Sequence, residues 1–202
     1  MRVNESGRSM IEMLGVLAIV GVLSVGGIAG YSKAMTKFKT NKVADQVSMI
    51  VTNIRTLYAQ QTTYSGLNNV NAVKMGVVPD ELGTDDGLKN AFAGGVRIIA
   101  GSTGSDATGG SNGAFQVSFG NLPKEACVTL ATNDWGSGYS SGFIGMAVSG
   151  TSAAVASNNA NLTVGCTTAE ASKWCSSKGA MLVTTAAAAC SSDANSITWK
   201  FY

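Results

Sequence analysis

"SGRSMIEMLGVLAIVGVLSVGGIAGY", residues 6–31, runs without a break into "SKAMTKFKTNKVADQVSMIVTNIRTLYAQQ", residues 32–61. Residues 13–31 carry no charge. At about 1.5 Å per helical residue they are long enough to cross a hydrocarbon layer roughly 30 Å thick. The pattern then changes. Val43, Val47, Ile50, Ile54, Leu57 and Gln61 recur at alternating steps of four and three, apolar until the last. That spacing defines one stripe of an amphipathic helix. No proline occurs before Pro79, so the two stretches predict one long helix over 9–61. It is apolar all round at first and on one side only afterwards. Gly15, Gly21, Gly26 and Gly27 lower its rigidity, since each interior glycine costs up to about 1 kcal/mol relative to alanine. Gly26 and Gly30 also have the spacing that lets membrane helices approach closely.

A stripe on the second half has to be packed on something, and the rest of the chain supplies it. Residues 68–76 read as a short helix ending at Gly76, and 77–95 are rich in turn residues. Strands are expected at 96–100, 114–119, 126–132, 143–148 and 196–202, where apolar residues alternate or β-branched residues cluster. The Gly/Ser-rich run at 100–114 reads as a flexible hairpin loop. Residues 167–179 read as a helix, with Thr167 and Glu170 in capping-box spacing and Gly179 as the stop. The expected fold class is α+β: a long N-terminal helix, its apolar half protruding, packed on an antiparallel sheet.

Composition removes several functions. The chain has 202 residues, a formal charge of +2 and 13% charged residues, so no broad field points to nucleic acid. It has no histidine, which removes the commonest general base near neutral pH and the commonest zinc ligand. An enzyme, a metal site and a cofactor are therefore not expected. Cys127, Cys166, Cys175 and Cys190 contain no CxxC. An even count beyond an export-like segment suggests two disulfides formed in an oxidising compartment. Three pairings are possible, and the preferred one is Cys127–Cys190 with Cys166–Cys175 nested inside. Four buried thiols are the bland alternative.

Other candidate sites have ordinary explanations. Asp80, Glu81, Asp85 and Asp86 fit no standard calcium loop and read as a solvated turn. "GSTGSDATGG" lacks the lysine and following helix of a phosphate loop. Lys33, Lys37 and Lys42 suit a solvated helix face better than DNA. Trp135, Tyr139 and Phe143 could display a receptor-binding loop, but covering one edge of the sheet is the simpler role.

Glu12 remains, at the margin of an uncharged run where a carboxylate is expensive. An ordinary secretory signal fits Arg2, Arg8 and the small residues around Gly27-Ile28-Ala29, yet a lysine-bearing helix follows with no linker. A plain signal anchor leaves Glu12 unexplained, and snorkelling to the interface is its bland reading. "GRSMIEMLGVLAIVGVLS" resembles the class III leader and N-terminal helix of type IV pilins. "GVVPDEL", "NAFAGGVRI" and "LPKEACVTLATNDW" resemble segments of type IVb pilins of the PilS kind.

The resemblance implies cleavage between Gly7 and Arg8 by a prepilin peptidase. Arg8 stands where the family has Phe, Met or Leu, and N-methylation of the new terminus would fall on it. Residues 1–7 would be the leader, 8–31 the membrane and filament-core helix, 32–62 its amphipathic half, and 63–202 a head with two disulfides. The implied partners are other copies of the chain in a helical homopolymer, the inner-membrane pilus assembly machinery, the membrane before assembly, and a host or cell-surface receptor. The location would be the bacterial inner membrane and then an extracellular pilus. Glu12 would pair with the α-amine at Arg8 of a neighbour, which selects one axial register because an unpaired buried carboxylate is costly. Positive-inside counting disagrees, with two arginines before the segment and Lys33, Lys37, Lys39 and Lys42 after it; the cysteines and polar composition outweigh it. The lysines would meet acidic neighbours in a filament. The rival readings are a minor pilin or pseudopilin of a type II secretion-like system, and a secreted ligand-binding domain.

Overall fold

The computed structural model of the chain describes residues 6–84, 87–101, 112–136, 141–150, 152, 162–164, 174–176 and 180–202, with backbone alone for 6–9, 162–164 and 174–176. Its first element is one helix, α1 (Ser6–Leu57). The chain divides into two units, Met1–Phe38 and Lys39–Tyr202. In the first, the apolar side chains from Met10 to Ile28 are 52–75% exposed wherever they are large.

In the second unit the α1 stripe is consumed. Val43, Val47, Ile50 and Ile54 are fully buried, whereas Leu57 is half exposed. The helix stops there rather than at Gln61. Tyr58 N–H still donates to the Ile54 carbonyl at 2.9 Å, but Gln61 N–H reaches only back to Tyr58, at 2.8 Å. The next stripe position is the polar Gln61, so another turn of helix would bury nothing. The chain instead bends to set Tyr64 on Tyr58 (centroids 5.1 Å) and on Phe115 (4.8 Å).

A short helix α2 (Asn69–Lys74) follows, capped by the Asn68 side chain accepting from Asn71 N–H, and then a single 3-10 turn at Asp80–Leu82. The strands are β1 (Val96–Gly101), β2 (Ala114–Leu122), β3 (Phe143–Ser149), β4 (Leu162–Val164), β5 (Trp174–Ser176) and β6 (Asn195–Phe201). They form one sheet in the order β1-β2-β6-β3-β5-β4. Every pairing is antiparallel except β4 with β5, which is parallel. The last strand of the chain thus lies inside the sheet. Trp199 sits opposite Val117 on one side and Met146 on the other, and Ile98 lies beyond Val117. These side chains are buried and join the α1 stripe in one hydrophobic core, the arrangement alternation produces when one sheet face is covered. The other register positions of β2 and β6 are also buried but polar: Gln116, Ser118, Thr198 and Lys200. Thr198 donates to the Ser118 hydroxyl at 2.9 Å, and burial pushes the Lys200 amine below its ordinary range.

Two expectations are corrected. Residues 126–132 are not a strand but most of helix α3 (Lys124–Thr132). Ala126, Cys127, Leu130 and Ala131 are its buried positions, a one-and-four spacing that only a helix puts on one side. Within the helix expected at 167–179, residues Trp174–Ser176 are strand β5, held by pairing with Met146; the capping-box pair Thr167 and Glu170 lies outside the described residues. A helix that the sequence reading missed, α4 (Val183–Ala189), packs against α3. A disulfide joins Cys127 of α3 to Cys190 at the end of α4, with Cα atoms 5.9 Å apart.

Candidate functional site

Gly7 and Arg8 lie in the first turn of α1, and Glu12 lies one turn further, exposed on the helix surface. Glu12 is the one charge between Arg8 and Lys33. Gly15, one turn beyond it, has nothing within 4 Å of where a Cβ would lie. The Ser24 and Ser32 hydroxyls are satisfied by the helix itself. Ser24 donates to the Val20 carbonyl at 2.7 Å and Ser32 to the Ile28 carbonyl at 3.0 Å. A serine hydroxyl bonded back to its own helix can leave water without losing that hydrogen bond. Among the described residues it is the helix long and apolar enough to span a membrane. Glu12 alone still calls for a cation or water.

In the second unit, the chain after α2 straps the amphipathic half of α1. Lys42 Nζ meets Glu81 Oε2 at 2.8 Å, and Gln46 Nε2 donates to Glu81 Oε1 at 2.6 Å. Lys42 and Gln46 are four residues apart, hence on one helix face. Together, Lys42 first, they hold the Glu81 carboxyl below its ordinary range. Lys39 lies over the Phe92 ring, 5.7 Å from its centroid, and Asn53 donates to the Val77 carbonyl at 3.1 Å. Two of the lysines thus turn to acidic or aromatic groups of their own chain. At the end of α1, Arg55 donates to the Ser141 carbonyl at 2.6 Å. Gly142, at φ +69°, gives it room: a Cβ there would stand 3.0 Å from the guanidinium.

The remaining sequence candidates fall as follows. Cys127 and Cys190 are bonded to each other; Cys166 lies outside the described residues, and Cys175 is placed by its backbone in β5. Asp80 and Glu81 sit in the 3-10 turn, while Asp85 and Asp86 lie outside the described residues. Trp135 does not cover a sheet edge. It packs on Trp199 of the interior strand β6 at 4.9 Å, with its indole N–H donating to the Leu130 carbonyl at 2.8 Å. Phe143 packs on Phe201 at 5.3 Å, and Tyr139 lies outside the described residues. Sequence reasoning missed the Lys42–Gln46–Glu81 cluster; its signal was an i, i+4 pair beside the buried stripe, followed by a short acidic turn.

A long helix, apolar then amphipathic, with an antiparallel sheet interleaved by the C-terminal strand and a late disulfide, is a type IV pilin fold. The crystal structure of TcpA, a type IV pilin from Vibrio cholerae El Tor biotype, superposes with a TM-score of 0.54 at 18% identity, covering 81% of this chain and 99% of that one. The chain belongs to the Bundlin family, whose model matches residues 32–199. Among relatives, the major structural subunit of bundle-forming pilus from Escherichia coli O127:H6 (strain E2348/69 / EPEC) is 28% identical over 134 residues, 65% of this chain and 66% of that protein. The toxin coregulated pilin of Vibrio cholerae serotype O1 (strain ATCC 39315 / El Tor Inaba N16961) is 26% identical over 135 residues, 65% of this chain and 59% of that protein. The matches therefore span 66% and 59% of these relatives' lengths, less than two thirds in each. The family match begins after the apolar stretch, whose role rests on its own chemistry.

Proposed function

We propose that this chain is a structural pilin subunit that is cut between Gly7 and Arg8 by a prepilin peptidase, held in the inner membrane by residues 8–31, and polymerised into an extracellular type IV pilus. The observation that carries this reading is the surface of α1 before Lys33: exposed apolar side chains, internally bonded hydroxyls and one carboxylate. Such a surface suits lipid first and the apolar surfaces of sister helices afterwards. Glu12 then makes the second environment specific. Buried among sister helices, it requires a cation, and the new α-amine at Arg8 of a neighbour supplies one in a single register. The relatives named as the major structural subunit of bundle-forming pilus support self-association as the outcome. The head, residues 63–202, forms the outer surface, where adhesion, aggregation, conjugative contact or motility would be expressed.

The test is N-terminal mass analysis of the mature protein together with electron microscopy of sheared surface material. A start at Arg8 in long homopolymers is expected, whereas a start at Gly30 shows ordinary signal cleavage and ends the reading. In the same experiment Glu12→Ala should still be processed at Arg8 but yield no filament. Normal filament yield from that variant would remove charge pairing from the account.

A further inference from the structure

An open groove beside β1, lined by Asn68, Lys89, Ala93, Arg97, Ile99 and Asn121 among others, offers about 750 Å³, comparable in volume to the roughly 300–1,000 Å³ of small-ligand sites. Its walls are strained. Ala93 (φ 58°) and Asn121 (φ 55°) hold left-handed backbone and are the non-glycine residues that do so among those described. Such backbone costs an L-residue on the order of 1 kcal/mol. Asn90, which is buried, enforces it at Ala93. Its Oδ1 accepts from Phe92 N–H at 2.8 Å and Gly94 N–H at 3.1 Å, and its Nδ2 donates to the Gly120 carbonyl at 2.8 Å. Gly94 lies flush on that carbonyl, where a Cβ would overlap it. From the other wall, Asn121 Nδ2 donates to the Phe92 carbonyl at 2.9 Å. The turn at 90–94 and the bulge at 120–121 are therefore locked together.

The groove is not a vacant strand position. Asn69 donates to the Val96 carbonyl at 2.9 Å and accepts from Ile98 N–H at 2.7 Å, and Ala100 N–H reaches the Leu67 carbonyl at 3.1 Å. The outer edge of β1 is thus already bonded. What the groove displays instead is Lys89 and Arg97, both exposed and neither in an ion pair among the described residues. Among the described residues no acidic side chain lines it. Two cations with amides beside an apolar Ile99 suit a ligand that carries an anionic group and hydroxyls on a carbon frame. A bare inorganic anion would fill only a small part of the space. We infer that this groove binds an acidic saccharide, its carboxylate held between Lys89 and Arg97. The binding does not require polymerisation, so its failure leaves the pilin reading untouched.

The probe is sialyllactose, titrated against the full chain in detergent micelles by saturation-transfer NMR. Saturable binding is expected, weakened about tenfold by Lys89→Ala and by Arg97→Ala, each removing one charge-assisted contact. Both side chains are exposed, so unchanged thermal midpoints should show that the variants fold. Lactose should not compete, and inorganic phosphate should compete only in large excess. No saturable binding, or binding that survives the double variant, overturns the inference. So does equal binding of lactose, which would show that no anion is read. Phosphate competing as well as sialyllactose would show a bare anion site and overturn the saccharide assignment.

Discussion

Residues 10–38 and residues 39–57 belong to one helix and use similar side chains, yet their surfaces have opposite fates. Leu17, Val22 and Val25 in the first are 67–75% exposed, whereas Val43, Val47 and Ile50 in the second are fully buried. Helix formation does not distinguish them; the presence of a partner surface within the same chain does. In the second stretch the rest of the head supplies that surface within one core, so the apolar stripe stabilises the head at roughly 25 cal/mol per Å² buried. In the first, the same gain remains to be made against lipid or another copy. A helix can therefore carry folding in one half and assembly in the other, with Lys33, Lys37, Lys39 and Lys42 marking the change.

The sharpest way to break this comparison is a matched pair of truncations. Ile50→Ala should cost the head about 4 kcal/mol, the range of a buried isoleucine replaced by alanine, read by urea unfolding in detergent. Leu17→Ala should leave head stability within about 0.5 kcal/mol. Equal losses would show that the apolar half also stabilises the head. A somewhat smaller effect is expected from the disulfide. Cys127 and Cys190 are 63 positions apart, so Cys127→Ser with Cys190→Ser frees a long loop in the unfolded chain and should cost about 3 kcal/mol. Limited proteolysis should then attack the chain after Ala126 first, while the helicity of residues 10–38 stays constant. Unchanged protease resistance would mean that α3 and α4 hold without the crosslink.

How far these differences could be read in advance follows from the range of the forces involved. The apolar run, the four-three stripe and the alternation of Phe115, Val117 and Phe119 are local patterns, and each corresponds to an element in the fold. At 126–132 the β-branched Val128 and Thr129 favour a strand locally, yet the segment is helical. Pro123 immediately before Lys124, and Glu125 in the first turn, were the helix-start signals that decide the segment. Trp174–Ser176 offered no such warning, because β5 owes its form to pairing with Met146 on a distant strand. The candidate site divides in the same way. Glu12 stands out in the sequence because its neighbours are uncharged, but the engagement of Lys42 by Glu81 depends on a fold that brings together residues 39 positions apart.

That ion pair supplies the mildest test of the comparison, and its sign is fixed. Lys42 and Gln46 stabilise the ionised form of Glu81 and lower its pKa from the ordinary 4.5. The unfolded chain then takes up the proton more readily than the folded one. The pair's contribution is fully present above the ordinary value and is lost as pH falls through the lower folded value. Both side chains are over a third exposed, so the effect should stay below about 1 kcal/mol and shrink in high salt. Glu81→Gln should therefore lower the urea midpoint slightly at pH 7, and the difference should shrink as pH falls below 4.5. A difference that did not change with pH would mean that the amide-bearing strap, rather than the charge, holds this half of α1. A difference absent at pH 7 would place the whole hold on the buried stripe, leaving Lys42 as free for a neighbouring subunit as Lys33 and Lys37.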